Sequence, residues 1–190
     1  MENKTLFRLF HNITLSESTC VIGVAKAEKN GLINSLRRKE VQKVYLQEKT
    51  LIIRVDLSKL TTVNELKFFE LIFHSLLTEA SLPNLDQDVQ EILATLQKVK
   101  TSKNLNFLEI RFLERAISIL VRKYGIKLCI ILDGFDKCYQ EIHPRALAIL
   151  RAIRDDFKYS LCYIIFFLNF PKKIRSEAFY ELISKNIISV

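Results

Sequence analysis

Lys127-Leu128-Cys129-Ile130-Ile131-Leu132-Asp133-Gly134-Phe135-Asp136 (KLCIILDGFD) runs five apolar residues in a row and then stops on an acid. No polar residue alternates with the apolar ones, which is the pattern of a strand covered on both faces. Three other runs share this character: Thr19–Val24 (TCVIGV), Thr50–Leu57 (TLIIRVDL) and Leu161–Leu168 (LCYIIFFL). Strands buried on both faces belong to parallel sheets flanked by helices, so the segments between these runs are expected to be helical.

Those segments do show helical spacing. Lys29–Val44 carries apolar residues at Leu32, Ile33, Leu36 and Val41. Val63–Ala80 places Leu66, Phe69, Leu71, Phe73 and Leu76 on one broad face. Leu85–Val99, Leu105–Tyr124, Pro144–Phe157 and Lys172–Ile188 complete the set. Asp86 suits a helix N-cap and Pro144 a first helical turn. The resulting order predicts a doubly wound α/β domain with a parallel sheet.

The chain has 190 residues, within the size of one domain, and no internal repeat or Pro/Gly/Ser linker divides it. A single domain over 1–190 is expected. The loosest stretch, Lys100–Asn106, reads as a turn between helices. A hydrophobic content of 49% excludes a disordered chain. The longest apolar run, Leu161–Leu168, is far shorter than the ~18 to 20 residues that cross a bilayer, so no membrane span is expected. Lys4, Arg8 and His11 break the first apolar stretch, so no signal peptide is expected there. Cys20, Cys129, Cys138 and Cys162 form no C-x-x-C pair and no zinc spacing, as expected of reduced thiols in a cytoplasmic protein. The net charge of +8 favours polyanions without specifying one.

Ligands of such sheets bind at the carboxyl ends of the strands. Gly23-Val24-Ala25-Lys26-Ala27-Glu28-Lys29-Asn30 leads from a strand into a helix. The phosphate-binding loop reads G-x-x-x-x-G-K-[ST], and its backbone N–H groups wrap phosphates. Gly23 and Lys29 hold the required spacing, whereas Glu28 replaces the second glycine and Asn30 the metal-binding hydroxyl. Apolar Leu128–Leu132 followed by Asp133 fits a Walker B strand, whose carboxylate holds Mg²⁺ through water. Asn169 follows the last apolar strand, where a polar side chain reads a γ-phosphate. Singly, an Asp or Asn at a strand end is more often a cap or turn residue than a ligand. Their joint order is what points to a nucleotide site.

The segments CVIGVAKAEKNGLINSL and KLCIILDGFDKCYQEIHPRALAILRAIRDDF resemble the core of a P-loop ATPase. The similarity is to the signal-transduction ATPases with numerous domains, including the NACHT group, and to the archaeal and origin-recognition-type AAA+ ATPases. Asp133-Gly134-Phe135-Asp136 matches the Asp-Gly-apolar-Asp form of Walker B in the former group. The resemblance implies a three-layer αβα fold with about four parallel strands in the order first, fourth, third, second. It also implies a chain that stops before the fifth strand and the helical lid. It implies ATP or ADP with Mg²⁺ as cofactor. Gly23, Lys29 and Asn30 would lie at the nucleotide, and Asp133 at the metal. Asp136 would act on the attacking water, and Asn169 on the γ-phosphate.

The departures at Glu28 and Asn30 imply weak or lost nucleotide binding and little or no hydrolysis. A regulatory or signalling module with a protein partner is the expected role. The alternatives are a non-catalytic interaction fragment of a larger switch ATPase and a DNA-associated, origin-recognition-like core. Without a nucleotide, Lys29 is expected to pair with Glu28 or Asp133. His11, His74 and His143 share no metal-ligand spacing. Asp155-Asp156, Arg37-Arg38-Lys39 and Lys172-Lys173-Arg175 read as solvated faces. No basic motif interleaved with aromatics supports single-stranded nucleic-acid binding.

Overall fold

The computed structural model describes residues 2–46, 49–80 and 108–190. Its first half contains helix α1 (Glu2–Thr14), strand β1 (Thr19–Ile22), helices α2 (Lys26–Arg37) and α3 (Lys39–Tyr45), strand β2 (Thr50–Asp56) and helix α4 (Glu65–Ala80). Its second half contains α5 (Leu108–Ser118), β3 (Lys127–Asp133), α6 (Phe135–Glu141), α7 (Pro144–Asp156), β4 (Leu161–Phe167), α8 (Glu177–Ile183) and β5 (Ile187–Ser189). The expected helix at Leu85–Val99, its cap Asp86 and the Lys100–Asn106 turn lie outside the described residues.

The strands form one sheet in the order β2-β3-β4-β1-β5. Every pairing is parallel, with Thr19 opposite Ile164, Ile53 opposite Ile130 and Cys129 opposite Cys162. The first four strands therefore take the expected order. The expectation of a chain ending before a fifth strand is corrected. Ile187–Ser189 pairs with β1 from Cys20↔Ile187 to Ile22↔Ser189, and the Cys20 N–H donates to the Asn186 carbonyl at 2.9 Å.

Strand alternation divides the core into two layers. Ile53, Val55, Ile130, Leu132, Tyr163 and Ile165 face one way, onto Phe68, Phe69, Phe73, Leu147 and Phe179 of the helices. Ile52, Cys129, Ile131, Cys162 and Ile164 face the other way, onto Leu9, Phe10, Leu32, Ile33 and Leu36. Each large apolar side chain buried this way contributes roughly 1.5–3 kcal/mol relative to exposure. Tyr163 is buried at 1% exposure, and its hydroxyl donates to the Leu150 carbonyl at 3.1 Å, joining β4 to α7. Burial pushes its phenol well above the usual range. All four cysteines are buried and free of disulfides.

Several helices differ from their sequence patterns for identifiable reasons. The expected helix Lys29–Val44 is two helices, because Arg38 is extended (φ −67°, ψ 121°). The Gln42 side chain donates to the Leu36 carbonyl at 2.8 Å and so caps α2. α7 begins at Pro144 as expected, and His143 Nδ1 accepts from the Arg145 N–H at 3.2 Å as its cap. The expected helix Lys172–Ile188 shrinks to Glu177–Ile183, with Ser176 as N-cap, because a loop and β5 take its ends. No helix among the described residues is long and apolar enough to cross a membrane.

Candidate functional site

The carboxyl ends of β1, β3 and β4 bring the predicted residues onto one edge of the sheet. Gly134, in the left-handed region (φ +73°), turns the chain from β3 directly into α6. That turn leaves Asp133 at the strand end and puts Asp136 in the first turn of α6. Asp133 is only 3% exposed. A buried carboxylate must be paired, and here two cations reach it. Lys29 Nζ stands 2.6 Å from its Oδ1. The Arg54 Nε donates to Oδ2 at 3.1 Å, and a second guanidinium nitrogen closes on the same oxygen. Burial opposes ionisation of Asp133, but hydrogen bonds and attraction from Lys29 and Arg54 outweigh it. The carboxyl is therefore held below its ordinary value.

Arg54 was not anticipated from the sequence. It lies on β2 opposite Ile131, so its long side chain reaches diagonally to the residue two further along β3. The available signal was a lone arginine inside the apolar run Thr50–Leu57. In a strand covered on both faces, such a charge needs a carboxylate nearby.

The loop after β1 is short. Gly23 has φ +81°, and its N–H donates to the Phe167 carbonyl at 3.2 Å, so that amide is committed to β4. α2 has already begun at Lys26, and the Lys29 N–H donates to the Ala25 carbonyl at 2.8 Å. Positions that would wrap a phosphate are thus wound into a helical turn. Ala25 caps α2 without a side-chain hydrogen bond, and Glu28 sits in the first turn, where the helix dipole favours a negative charge. Asn30 follows Lys29 within α2 and is half-buried.

Asp136 Oδ1 accepts from the Leu168 N–H at 2.9 Å, which fastens the end of β4 to α6. A cleft of about 250 Å³ lies between Lys26, Lys29, Asp136 and Leu168. Asn169 is exposed on the loop after β4 and lines an adjoining cavity with Asp136. The structure thus brings Gly23, Lys29, Asp133, Asp136 and Asn169 to one edge of the sheet. It leaves Asn30 on the helix behind them.

These residues do not fit Mg²⁺ with a triphosphate as they stand. Both Asp133 oxygens are taken by cations, and the wrapping loop is reduced to residues 23–25. Among the described residues, no three His, Cys, Asp or Glu side chains gather as a metal centre. Of the residues set aside, Lys172 and Lys173 are exposed, whereas Arg37 pairs with Glu79 of α4 and Arg175 is held by backbone carbonyls of α6, which corrects the expectation of solvated faces at those two positions. His74 lies 3.8 Å from Glu70 on the exposed side of α4, and Asp155 accepts from the Arg151 Nε at 3.1 Å.

The sequence matches no protein-family model and no curated protein. By shape, the chain is similar to the Aeropyrum pernix ORC2 protein in its ADP form, with a TM-score of 0.61 and 14% identity. That alignment covers 98% of this chain and 46% of the other. A second structure of that protein, in ADPNP-ADP complexes, aligns with a TM-score of 0.55 and 13% identity, over 88% of this chain and 40% of the other. CDC6P from Pyrobaculum aerophilum aligns with a TM-score of 0.57 and 10% identity, over 98% of this chain and 44% of the other. The fold is that of a P-loop AAA+ core. The chain spans less than half the length of these solved proteins.

Proposed function

We propose that this chain is a switch-type P-loop module whose phosphate site is closed by its own side chains. It binds ATP or ADP weakly at most, hydrolyses neither at a useful rate, and acts through contact with a protein partner. The clamp of Lys29 and Arg54 on Asp133 carries this reading. A cation that would neutralise phosphate, and the carboxylate that would order Mg²⁺, here satisfy each other.

Two further observations support it. Phosphoryl transfer depends almost entirely on positioning and charge stabilisation, and a loop wound into helix at Lys26 supplies little of either. Glu28 adds a negative charge beside any incoming polyanion. Two unit charges at 4 Å in an effective dielectric of 20 repel by about 4 kcal/mol, an upper-range illustration. The Asp-Gly-Phe-Asp form of the β3 end is what likens the module to the signal-transduction ATPases with numerous domains rather than to Asp-Glu enzymes. The roles of Asp136 and Asn169 as water-positioning and γ-phosphate-reading groups belong to the ancestral pattern under this proposal. Asp136 now serves to hold Leu168.

Phosphate release by purified protein under Mg-ATP tests the proposal. No release above the background of an Asp136→Ala variant is expected. Steady release that this substitution abolishes would contradict it.

A further inference from the structure

The loop after β4, residues 168–176, is fastened to α6 along its length. The Tyr139 hydroxyl accepts from the Arg175 N–H at 3.0 Å and donates to the Lys173 carbonyl at 3.4 Å. The Arg175 guanidinium donates to the Tyr139 carbonyl at 2.7 Å and also to the Gln140 carbonyl. These carbonyls belong to the last turn of α6 and have no partner within the helix. At its start, the loop is held by the bond from the Leu168 N–H to Asp136. A loop held this way loses little freedom when something binds to it.

Between this loop and α6 lies a cavity of about 420 Å³. Tyr139, Phe167 and Phe170 give it aromatic walls, while Lys172 and Lys173 stand at its edge. Both lysines are exposed, and their ammonium groups have no partner among the described residues. Arg175 is spent on carbonyls and Glu141 faces Lys137 at 4.0 Å, while the Asp136 carboxylate, which also lines the cavity, keeps its charge and accepts from the Leu168 N–H. Leu168 at 62% and Ile174 at 50% exposure are further apolar side chains on the same loop, outside the cavity lining. The result is an open groove with an apolar floor and free positive charge on its rim.

We propose that this groove docks an acidic protein segment that inserts one apolar side chain. The aromatic walls call for an apolar anchor, and the two lysines call for carboxylates on either side of it. The exposed Leu168 and Ile174 favour an extended chain, because they offer contact outside the cavity that a small enclosed ligand would not reach. The net charge of +8 further favours an acidic partner. The inference deepens the proposed role in protein contact and rests on it only for that. The groove shares Asp136 and Asn169 with the sheet-edge site, but the peptide test is read at Lys172 and Lys173, which the nucleotide reading does not use, so the two ideas fail separately.

The test is fluorescence anisotropy with short labelled peptides of glutamates around a central phenylalanine. Matched peptides carry lysine in place of glutamate, or alanine in place of phenylalanine. The protein variants are Lys172→Glu with Lys173→Glu, and a control of equal charge change on α3, Lys39→Glu with Lys43→Glu. All four lysines are exposed, so the fold tolerates both changes. The glutamate–phenylalanine peptide should bind wild type and the α3 control alike, and the groove variant about tenfold more weakly. Both matched peptides should bind wild type more weakly. Equal losses in the two variants, no loss in the groove variant, or no saturable binding would overturn the proposal. So would displacement of the peptide by an equal concentration of inorganic triphosphate, which would make the occupant a small polyanion.

Discussion

Lys29 Nζ lies 2.6 Å from Asp133 Oδ1, while the Arg54 Nε lies 3.1 Å from Oδ2 on the opposite side of the same carboxylate. One acid thus pairs with two cations drawn from α2 and β2, and it ties both elements to the end of β3. Asp133 is almost wholly buried, whereas the Lys29 and Arg54 side chains keep 22% and 29% of their exposure. The clamp is therefore anchored on its acid. Removing that acid leaves two cations facing each other with water only on their outer sides. Asp133→Ala is expected to cost about 2 kcal/mol, below the full cost of breaking a buried pair because the cations remain partly solvated. Chemical denaturation of the two proteins measures this.

The pH dependence follows from the direction of the Asp133 shift. The folded protein holds this carboxyl below its ordinary value of 3.8, so the unfolded chain binds the proton more readily. The clamp's contribution is therefore complete above that value and is lost as pH falls below it toward the lower folded value. Asp133→Asn should lose less stability than wild type over that acid range. Equal acid limbs in thermal melts would contradict this.

Removing the cations should reverse the sign. In a Lys29→Met, Arg54→Met double variant, burial acts on Asp133 without opposition and raises its pKa. The folded state then takes up the proton first. The double variant should be about 3 kcal/mol less stable than wild type near neutrality, and the gap should narrow as pH falls toward 4. A gap that stays constant with pH would show that Asp133 is not the group concerned.

Gly23 joins the sheet to the phosphate-site loop under a tight constraint. Its φ is +81°, and a Cβ there would stand 3.1 Å from the Val190 carbonyl oxygen. Gly23→Ala should destabilise the protein by about 1–2 kcal/mol from backbone strain alone. It should do so without any nucleotide present, because the glycine serves the β4 and β5 contacts of β1. A thermal melt unchanged from wild type would refute this.

Opening the loop is the reverse experiment. Glu28→Gly with Asn30→Ser restores the two missing loop residues and weakens the first turn of α2, where a glycine costs roughly 1 kcal/mol. The nucleotide-free variant should melt slightly earlier than wild type and should gain thermal stability from Mg-ATP. A variant that melts earlier and gains nothing would place the limit outside this loop.

The sheet was legible in the sequence because its strands are long apolar runs, whereas the order of β2, β3, β4 and β1 came from the resemblance to P-loop ATPases and not from the residues themselves. β5 was hidden because Ile187–Ser189 is too short to show a period and continues the apolar spacing of the helix before it. α6 was hidden for a similar reason. Gly134 compresses the turn so far that Phe135 and Asp136, which read as a strand end, are already helical. At the site, Lys29 and Asp133 were found through spacing, and charge balance left Glu28 and Asp133 as equal candidates for the partner of Lys29, of which the structure selects Asp133. Arg54 was missed because spacing along a chain does not show which residue of a neighbouring strand lies diagonally across from it. The early start of α2 at Lys26 was equally hidden, since Ala25 through Asn30 satisfies a loop pattern and a helical one.

The most direct test of a self-filled phosphate site is calorimetric titration of wild-type protein with Mg-ATP and Mg-ADP. The account predicts no saturable heat at micromolar nucleotide, with any affinity in the millimolar range, near −4 kcal/mol or weaker. Saturable one-to-one binding at micromolar nucleotide or tighter, in a protein that keeps Glu28, Lys29 and Asp133, would contradict it.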